Sequence, residues 1–406
     1  MMRIPLPAEA VRIIDTLKAH GYKAYAVGGC VRDFVIGHTP DDYDITTDAL
    51  PEQTAEVFTD AKVIKTGIKH GTVTVILSGF KAEITTFRID GAYTDSRHPD
   101  EVVFCPELKE DLKRRDFTMN ALAYNHDEGF MDFFGGIDDI NSGTIRCVGE
   151  AEIRFSEDAL RILRALRFAS VLGFDIADST ANAIYTGYPL LANISAERIF
   201  TELKKLLCGK EAYTVLTKFK DVFCFLIPEL GRLSDEDYRH TAFMVSKVPA
   251  VLKLSGLFYH CGAQGAHSAL KRLKSDNKTT HEVCTIIEAC SEKLSDCRID
   301  ALKLLNKYDS APMLYAIDLM LCDTNQSDCR MLTNLRQVIT DIVSHNECYK
   351  ISQLAVNGSD LINAGITDGK LIGKILNFIL NEIIENRVSN NREHLLKLIQ
   401  NSDIKR

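Results

Sequence analysis

The sequence predicts a small α/β head followed by a long all-α remainder. Three observations carry this. Strand-like alternation and glycine-punctuated turns crowd into residues 1–145. After about residue 146 strand signals nearly vanish, and apolar residues recur at helical spacing. The charge divides at the same place: residues 1–145 carry 15 Lys/Arg against 24 Asp/Glu, a net of −9, and the remainder carries 33 against 32, a net of +1.

Each element follows from its own spacing. Residues 8–20 place Ala8, Val11, Ile14 and Leu17 on one helical face, and Gly21 supplies a C-cap. Residues 23–27 alternate as a strand and run into Gly28-Gly29. Residues 31–36 read as a helix stopped by Gly37, and residues 42–46 as a short strand. Pro51 opens a helix through Phe58, since its fixed φ suits a first turn. Residues 72–77 and 82–87 are β-rich, and Ser78-Gly79 between them signals a hairpin. Residues 88–104 mix Gly, Pro, Asp and His with little periodicity and read as a long mobile loop. Beyond them, 151–172, 178–185, 195–207 and 211–219 read as helices. The rest is helical too, with breaks near 262–266, 324–327, 357–365 and 387–391. No fixed-period repeat or low-complexity segment is visible.

A chain of 406 residues is long enough for two to four domains. Its 46% apolar share excludes a wholly disordered chain. No run of about 18 apolar residues occurs, so no transmembrane helix is expected; the longest apolar patch is 222–227. The N-terminus lacks the pattern of a signal peptide. Twelve cysteines form no CxxC pair, which reads as reduced thiols of a cytoplasmic protein. The net charge of −8 argues mildly against a non-specific nucleic-acid binder. Because the acid excess lies in the first third, the helical remainder is left free to meet RNA.

The strongest local signal is Gly28-Gly29-Cys30-Val31-Arg32-Asp33, followed by Asp42-Tyr43-Asp44. Two glycines between a strand and a helix let backbone N–H groups approach a phosphate, and the helix N-terminus favours the anion. Arg32 can reach the same anion. Gly-Gly alone is equally compatible with a plain strand–helix turn. It is neither a Walker A loop nor a dinucleotide fingerprint, because GK[ST] and GxGxxG are both absent. Asp42 and Asp44, two apart in a strand, would share one face. Adjacent carboxylates repel unless a cation lies between them, and hard oxygen donors suit Mg²⁺. Glu83, on a later strand, offers a third carboxylate. Such a set can hold two metals about 3.5–4 Å apart for in-line phosphoryl displacement. A lone DxD is otherwise a solvated strand edge, but this order of features resembles the layout of the polymerase-β-like nucleotidyltransferase fold.

From here the sequence resembles the class II tRNA nucleotidyltransferase and bacterial poly(A) polymerase family. The motifs are residues 28–33, 42–46, 67–74 (GIKHGTVT), 83–88 (EITTFR), 91–99 (GAYTDSRHP), 113–121 (KRRDFTMNA) and 148–168 (VGEAEIRFSEDALRILRALRF). Residues 355–360 (AVNGSD) resemble the tail of bacterial CCA-adding enzymes, while 215–350 match weakly. One departure is Asp132-Phe133-Phe134-Gly135-Gly136, where the family usually has Asp-Pro-Phe-Gly-Gly. The resemblance implies Asp42 and Asp44 as metal ligands, with Glu83 ordering the site. It implies Gly28, Gly29 and Arg32 at the nucleotide phosphates, and Arg115 on the nucleotide; Asp116 and Asn120 read as structural supports. It further implies a nucleotidyltransferase head over 1–145, a base-recognising neck over 146–212, an RNA-binding body over 213–335 and a tRNA-binding tail over 336–406.

Residues 157–167 have their own logic. Asp158, Arg161, Arg164 and Arg167 recur every three positions and would share one flank of a helix. An ion-paired solvent face is the bland reading. The sharper one is a protein template. Cytosine and adenine each present an exocyclic amine donor beside a ring-nitrogen acceptor, which a carboxylate (Asp158) and a guanidinium (Arg161) complement. Uracil and guanine present the reverse and would leave both charged groups unpaired, which is costly when buried. The family resemblance assigns this role to the matching residues, with Arg164 and Arg167 also contacting the nucleotide.

The implied activity is addition of C, C and A to the tRNA 3′ end from CTP and ATP, with Mg²⁺. The alternatives are an A-adding enzyme, a poly(A) polymerase, or a non-catalytic RNA-binding protein on the same scaffold. Within the family, CC-adding enzymes typically lack an intact loop like 88–104; here Arg88, Asp90, Gly91, Tyr93, Asp95, Arg97 and Pro99 all stand in the pattern. Deleting residues 93–99 is expected to leave CC addition and abolish the terminal A; a deletion variant that still adds A overturns this. Lys271, Arg272 and Lys274, and five basic residues against two acids over 387–406, suit an RNA backbone or simply solvated helix surface. His260 and Cys261 read as core, since no further ligand is spaced for zinc.

Overall fold

The computed structural model describes residues 4–91, 102–323 and 326–400. The chain divides into two compact units, Met1–Gly231 and Arg232–Arg406.

The first unit opens with α1 (Ala8–Ala19), which buries Ala10, Ile13, Ile14 and Leu17. Seven strands then form one sheet: β1 (Ala24–Val27), β2 (Asp44–Thr47), β3 (Lys62–Ile64), β4 (Thr72–Leu77), β5 (Phe80–Thr86), β8 (Leu122–Asn125) and β9 (Gly129–Asp132), in the order β3-β4-β5-β2-β1-β8-β9. All pairings are antiparallel except β2 with β5. The expected hairpin is present: Leu77 pairs with Phe80 across a two-residue turn. Ser78 and Gly79 both have positive φ (52° and 86°), the conformation whose twist matches two-residue hairpins.

Helix α2 (Gly29–Ile36) starts directly after β1, two residues earlier than expected, and α3 (Pro51–Val57) begins at its proline. Residues 88–104 are not all irregular. Arg88–Asp90 (β6) and Val102–Phe104 (β7) pair as an antiparallel stem. Tyr93, Asp95, Arg97 and Pro99 lie outside the described residues. After β7 come α4 (Leu108–Lys113) and α5 (Gly136–Asn141). The core beneath them joins Tyr25, Val27, Phe87, Leu108, Leu112, Ala121, Ala123 and Val148. Strands β3, β8 and β9 escaped the sequence reading. Every residue of β8 is buried, so it shows no apolar–polar alternation to read.

The expected single helix over 151–172 is two, α6 (Ala151–Glu157) and α7 (Leu160–Leu172). Asp158, extended at φ −141° and ψ 100°, breaks them apart. Helices α8 (Asp178–Gly187) and α9 (Ala196–Leu207) follow, and α9 packs along α7.

The second unit is helical. Its larger core gathers residues such as Leu252, Leu305, Met313, Leu335 and Ile339, and a smaller one holds Leu361, Ile375, Ile379, Leu395 and Ile399. Among the described residues no helix is long and apolar enough to cross a membrane. His260 is half-buried rather than core: its Nε2 lies 2.6 Å from Nδ1 of His240, whose other nitrogen lies 2.7 Å from Asp323.

Candidate active site

The turn between β1 and α2 sets the site. Gly28 sits at φ 77°, ψ −129°, a backbone conformation that glycine alone adopts freely. A Cβ there would also lie 2.8 Å from Nη1 of Arg115, so the guanidinium packs directly on the turn. Gly29 is the first residue of α2.

Strand β2 is the next rung. It begins at Asp44, opposite Val27, because β1 ends there in the glycine turn. Asp42 therefore precedes the strand rather than sharing its alternation, which corrects the expected strand over 42–46. On its other side, Asp44 is in register with Glu83 of β5, so the two carboxylates stand side by side on one sheet face. Asp44 is exposed at the start of β2, yet enough protein surrounds its carboxylate to desolvate it. That desolvation raises its pKa; Arg115 opposes the rise, and Asp42 and Glu83 add to it. Glu83 also pairs with Lys81 at 3.0 Å.

Among the described residues no three His, Cys, Asp or Glu side chains are gathered closely enough to cage a metal ion. The donor set fits a different mode. Mg²⁺ binds typically through one or two carboxylates, completing its shell with water and substrate phosphate. Asp42 and Asp44 are hard oxygen donors beside a carboxylate-rich strand edge, and the mutual repulsion felt at Asp44 is what a cation relieves.

Arg115 lies 3.7 Å from Asp111, and its buried Nε has no hydrogen-bond acceptor among the described residues. Such a donor is costly to leave unmet.

The arginines form a second group. Arg32 lies beside the glycine turn, its Nη2 3.7 Å from where a Cβ on Gly29 would stand, but its donors are already engaged. Its Nε and Nη2 donate to Asp33 Oδ1 at 2.9 and 2.7 Å, and its Nη1 donates to Asn120 Oδ1 at 2.7 Å. Arg164 pairs with Asp116 at 2.6 Å, and Arg167 with Glu202 at 2.6 Å. The Phe168 ring sits beneath all three guanidiniums, at 4.9, 5.5 and 4.0 Å from Arg32, Arg164 and Arg167. Each cation thus has a carboxylate partner and an aromatic ring near its charge. Asp116 is buried, which alone would raise its pKa. Arg164 and the Asn120 hydrogen bond outweigh this and hold it at about 2.

The Arg161 N–H donates to the Asp158 carbonyl at 3.0 Å, but the two side chains do not pair with each other. Asp158 accepts from Arg198 at 3.0 Å and from the Leu160 N–H at 3.0 Å. Arg161 donates to Glu157 at 2.7 Å and to the Arg114 carbonyl at 3.1 Å, which ties it to the segment carrying Arg115. The expected shared helical flank therefore holds for Arg161, Arg164 and Arg167 on α7, while Asp158 stands outside the helix.

Sequence reasoning missed Phe168, Arg198, Glu202 and Asp111. The RRD and FTMNA stretches contained Asp116 and Asn120, but nothing local shows that they clamp Arg164 and Arg32 from 48 and 88 residues away.

Comparison with known proteins bears on the whole chain. The Poly A polymerase head domain matches residues 24–146, the probable RNA- and SrmB-binding site of polymerase A matches 173–230, and the putative domain 2 of tRNA nucleotidyltransferase matches 252–399. The chain is 36% identical over 419 aligned residues to the CCA-adding enzyme of Lactiplantibacillus plantarum, spanning 98% of this chain and 97% of that one. Over 204 residues, 50% of each chain, it is 50% identical to the CCA-adding enzyme of Leuconostoc mesenteroides. The solved CCA-adding enzyme of Bacillus stearothermophilus in complex with CTP superposes with a TM-score of 0.81 at 34% identity, over 98% of this chain and 97% of that one.

Proposed function

The chain belongs to the tRNA nucleotidyltransferase family of CCA-adding enzymes, and from that premise we propose how its own residues carry the reaction. It adds C, C and A to the 3′ end of tRNA from CTP and ATP, releasing diphosphate at each step. This matures and repairs tRNA ends, and we place it in the cytoplasm. Catalysis in this family is generally metal-dependent; the ion we assign is Mg²⁺, held by Asp42 and Asp44. When bound, it supplies activation of the 3′-hydroxyl and charge neutralisation at the triphosphate.

The register of β2 and β5 carries this reading. It sets Asp44 beside Glu83, near an arginine with an unmet donor. Glu83 orders the acidic edge. Gly28 and Gly29 let the phosphates approach the backbone, and Arg32 and Arg115 offer donors to them. Asp158 accepts from the exocyclic amine of cytosine or adenine, and Arg161 donates to the ring nitrogen. Arg164 and Arg167 complete the nucleotide contacts. The tRNA 3′-oxygen attacks the α-phosphorus, the bond to the bridging β-phosphate oxygen breaks, and diphosphate leaves with that electron pair. We assign residues 1–145 to a catalytic head, 146–212 to the neck, 213–335 to a body and 336–406 to a tail. The boundary between the two compact units at 231/232 falls inside the third of these.

Three tRNA substrates test this: one lacking CCA, one ending in C and one ending in CC, each offered single NTPs. Addition of C, C and A in turn is expected. A chain that extends only the CC-ending substrate is an A-adding enzyme.

A further inference from the structure

Asp111 lies on α4 with none of its surface exposed. Its carboxylate accepts from Thr46 Oγ1 at 3.1 Å, from the Arg88 N–H at 3.4 Å, and from Nε and Nη2 of Arg114 at 3.0 and 2.8 Å. Arg115 Nη2 stands 3.7 Å away, an ion pair without a hydrogen bond. Thr46 is two residues beyond Asp44 on β2, so Asp111 sits beneath the strand that carries the acidic edge. We propose that Asp111 is a positioning residue whose charge holds the Arg115 guanidinium away from Asp44, keeping the Asp42 and Asp44 carboxylates free for a divalent cation.

The argument is one of competition. Arg115 is cationic, packed against Gly28, and held by one ion pair at 3.7 Å. Three carboxylates act on it: Asp111, Asp44 and Asp116. Asp116 is already saturated by Arg164, Asn120 and the Phe117 N–H. Remove the charge at Asp111, and Asp44 is the remaining carboxylate with capacity for Arg115. A guanidinium on Asp44 forms a strong charge-assisted pair and takes the place a metal ion would occupy. Arg115 is already the foremost charge lowering the pKa of Asp44, so the two groups feel each other's charge. Asp111 is built to prevent that pairing. Arg114 and Arg115 hold its carboxyl below the usual carboxylate range despite its burial, so it stays ionised.

The inference rests on Asp42 and Asp44 being the metal ligands, and the test separates the two claims. Mn²⁺ binding to the free full-length chain is measured by electron paramagnetic resonance, without nucleotide or tRNA. Asp111→Asn keeps the shape of the side chain and removes its charge; its Mn²⁺ Kd is expected to rise roughly three- to tenfold, the scale of one nearby charge. Thr46→Val disturbs the same buried cluster without touching its charge, and its Kd is expected to stay within about twofold of the parent. A folded Asp111→Asn chain with parental Mn²⁺ affinity overturns the proposal, as does an equal loss in Thr46→Val. If Asp111→Asn does not fold, Arg114→Gln decides. It leaves the whole Asp111 charge to Arg115, so Mn²⁺ binding is expected to hold or tighten, and weakening overturns the proposal. Asp44→Ala that binds Mn²⁺ like the parent would instead overturn the metal assignment itself.

Discussion

On the inner strands of the sheet, burial raises the pKa of Asp44, and the charges of Asp42 and Glu83 add to the rise. At the junction with the neck, Arg32, Arg161, Arg164 and Arg167 each already grip a carboxylate: Asp33, Glu157, Asp116 and Glu202. The two regions treat charge in opposite ways. Asp44 and Glu83 are fixed by backbone register, and although Lys81 pairs with Glu83, Asp44 has no salt bridge of its own among the described residues, so a cation from outside can complete its compensation. The arginines are neutralised within the protein. What the neck offers a nucleotide is therefore fixed orientation more than surplus charge.

The sharpest way to break this contrast is at the acidic edge. Asp44→Ala is expected to lower nucleotide addition on the order of a thousandfold or more, while tRNA binding by filter retention is unchanged. Full activity refutes the assignment. Next comes the neck. Asp158→Ala removes the acceptor for the exocyclic amine and is expected to cut the preference for CTP over UTP by roughly a hundredfold, read from competing incorporation. An unaltered preference shows that Asp158 does not read the base.

A third prediction concerns the acid beneath the arginines. The Asp116 carboxyl, ordinarily near 3.8, is held at about 2. A depressed pKa contributes stability that is fully present above the unfolded value and lost as pH falls through the folded one. Asp116 should thus contribute about 2 kcal/mol above roughly pH 4 and progressively less toward pH 2. Urea midpoints of the parent and Asp116→Asn are expected to converge over that window; a constant gap contradicts the ion-pair account. The smallest effect is expected at the turn. Gly28→Ala imposes a positive φ on alanine and displaces Arg115, raising nucleotide KM about tenfold with a modest fall in Tm.

How far the sequence could be read follows from distance along the chain. Gly28-Gly29, Asp44 and Glu83 were legible because a strand, a turn and a short spacing announce them. The hairpin turn at Ser78-Gly79 was legible for the same reason. Asp42 falls outside the strand its spacing suggests, because alternation does not reveal where the partner strand ends, which here is Val27. The break at Asp158 was hidden because apolar spacing runs through it on both sides. Phe168 reads as one more core residue of a helix, and only folding brings Arg32 over its ring from 136 positions earlier in the chain. Arg198 and Glu202 reach Asp158 and Arg167 from another helix, 40 and 35 residues on, and no local pattern encodes such partnerships.

The two-residue turn at Ser78-Gly79 has a wider consequence. It fixes the register of β5 on β4, with Thr74 opposite Glu83, and β5 meets Asp44 on its other side through its own pairing with β2. A strand that slides by one position presents its other face, and Glu83 would then give way to Ala82 or Ile84. One residue inserted into that turn and absorbed by sliding would blank the acidic edge without altering any of its side chains. Length at this remote bend therefore bears on the site only where the change is taken up by β5 sliding along β2, and then it matters as chemistry does.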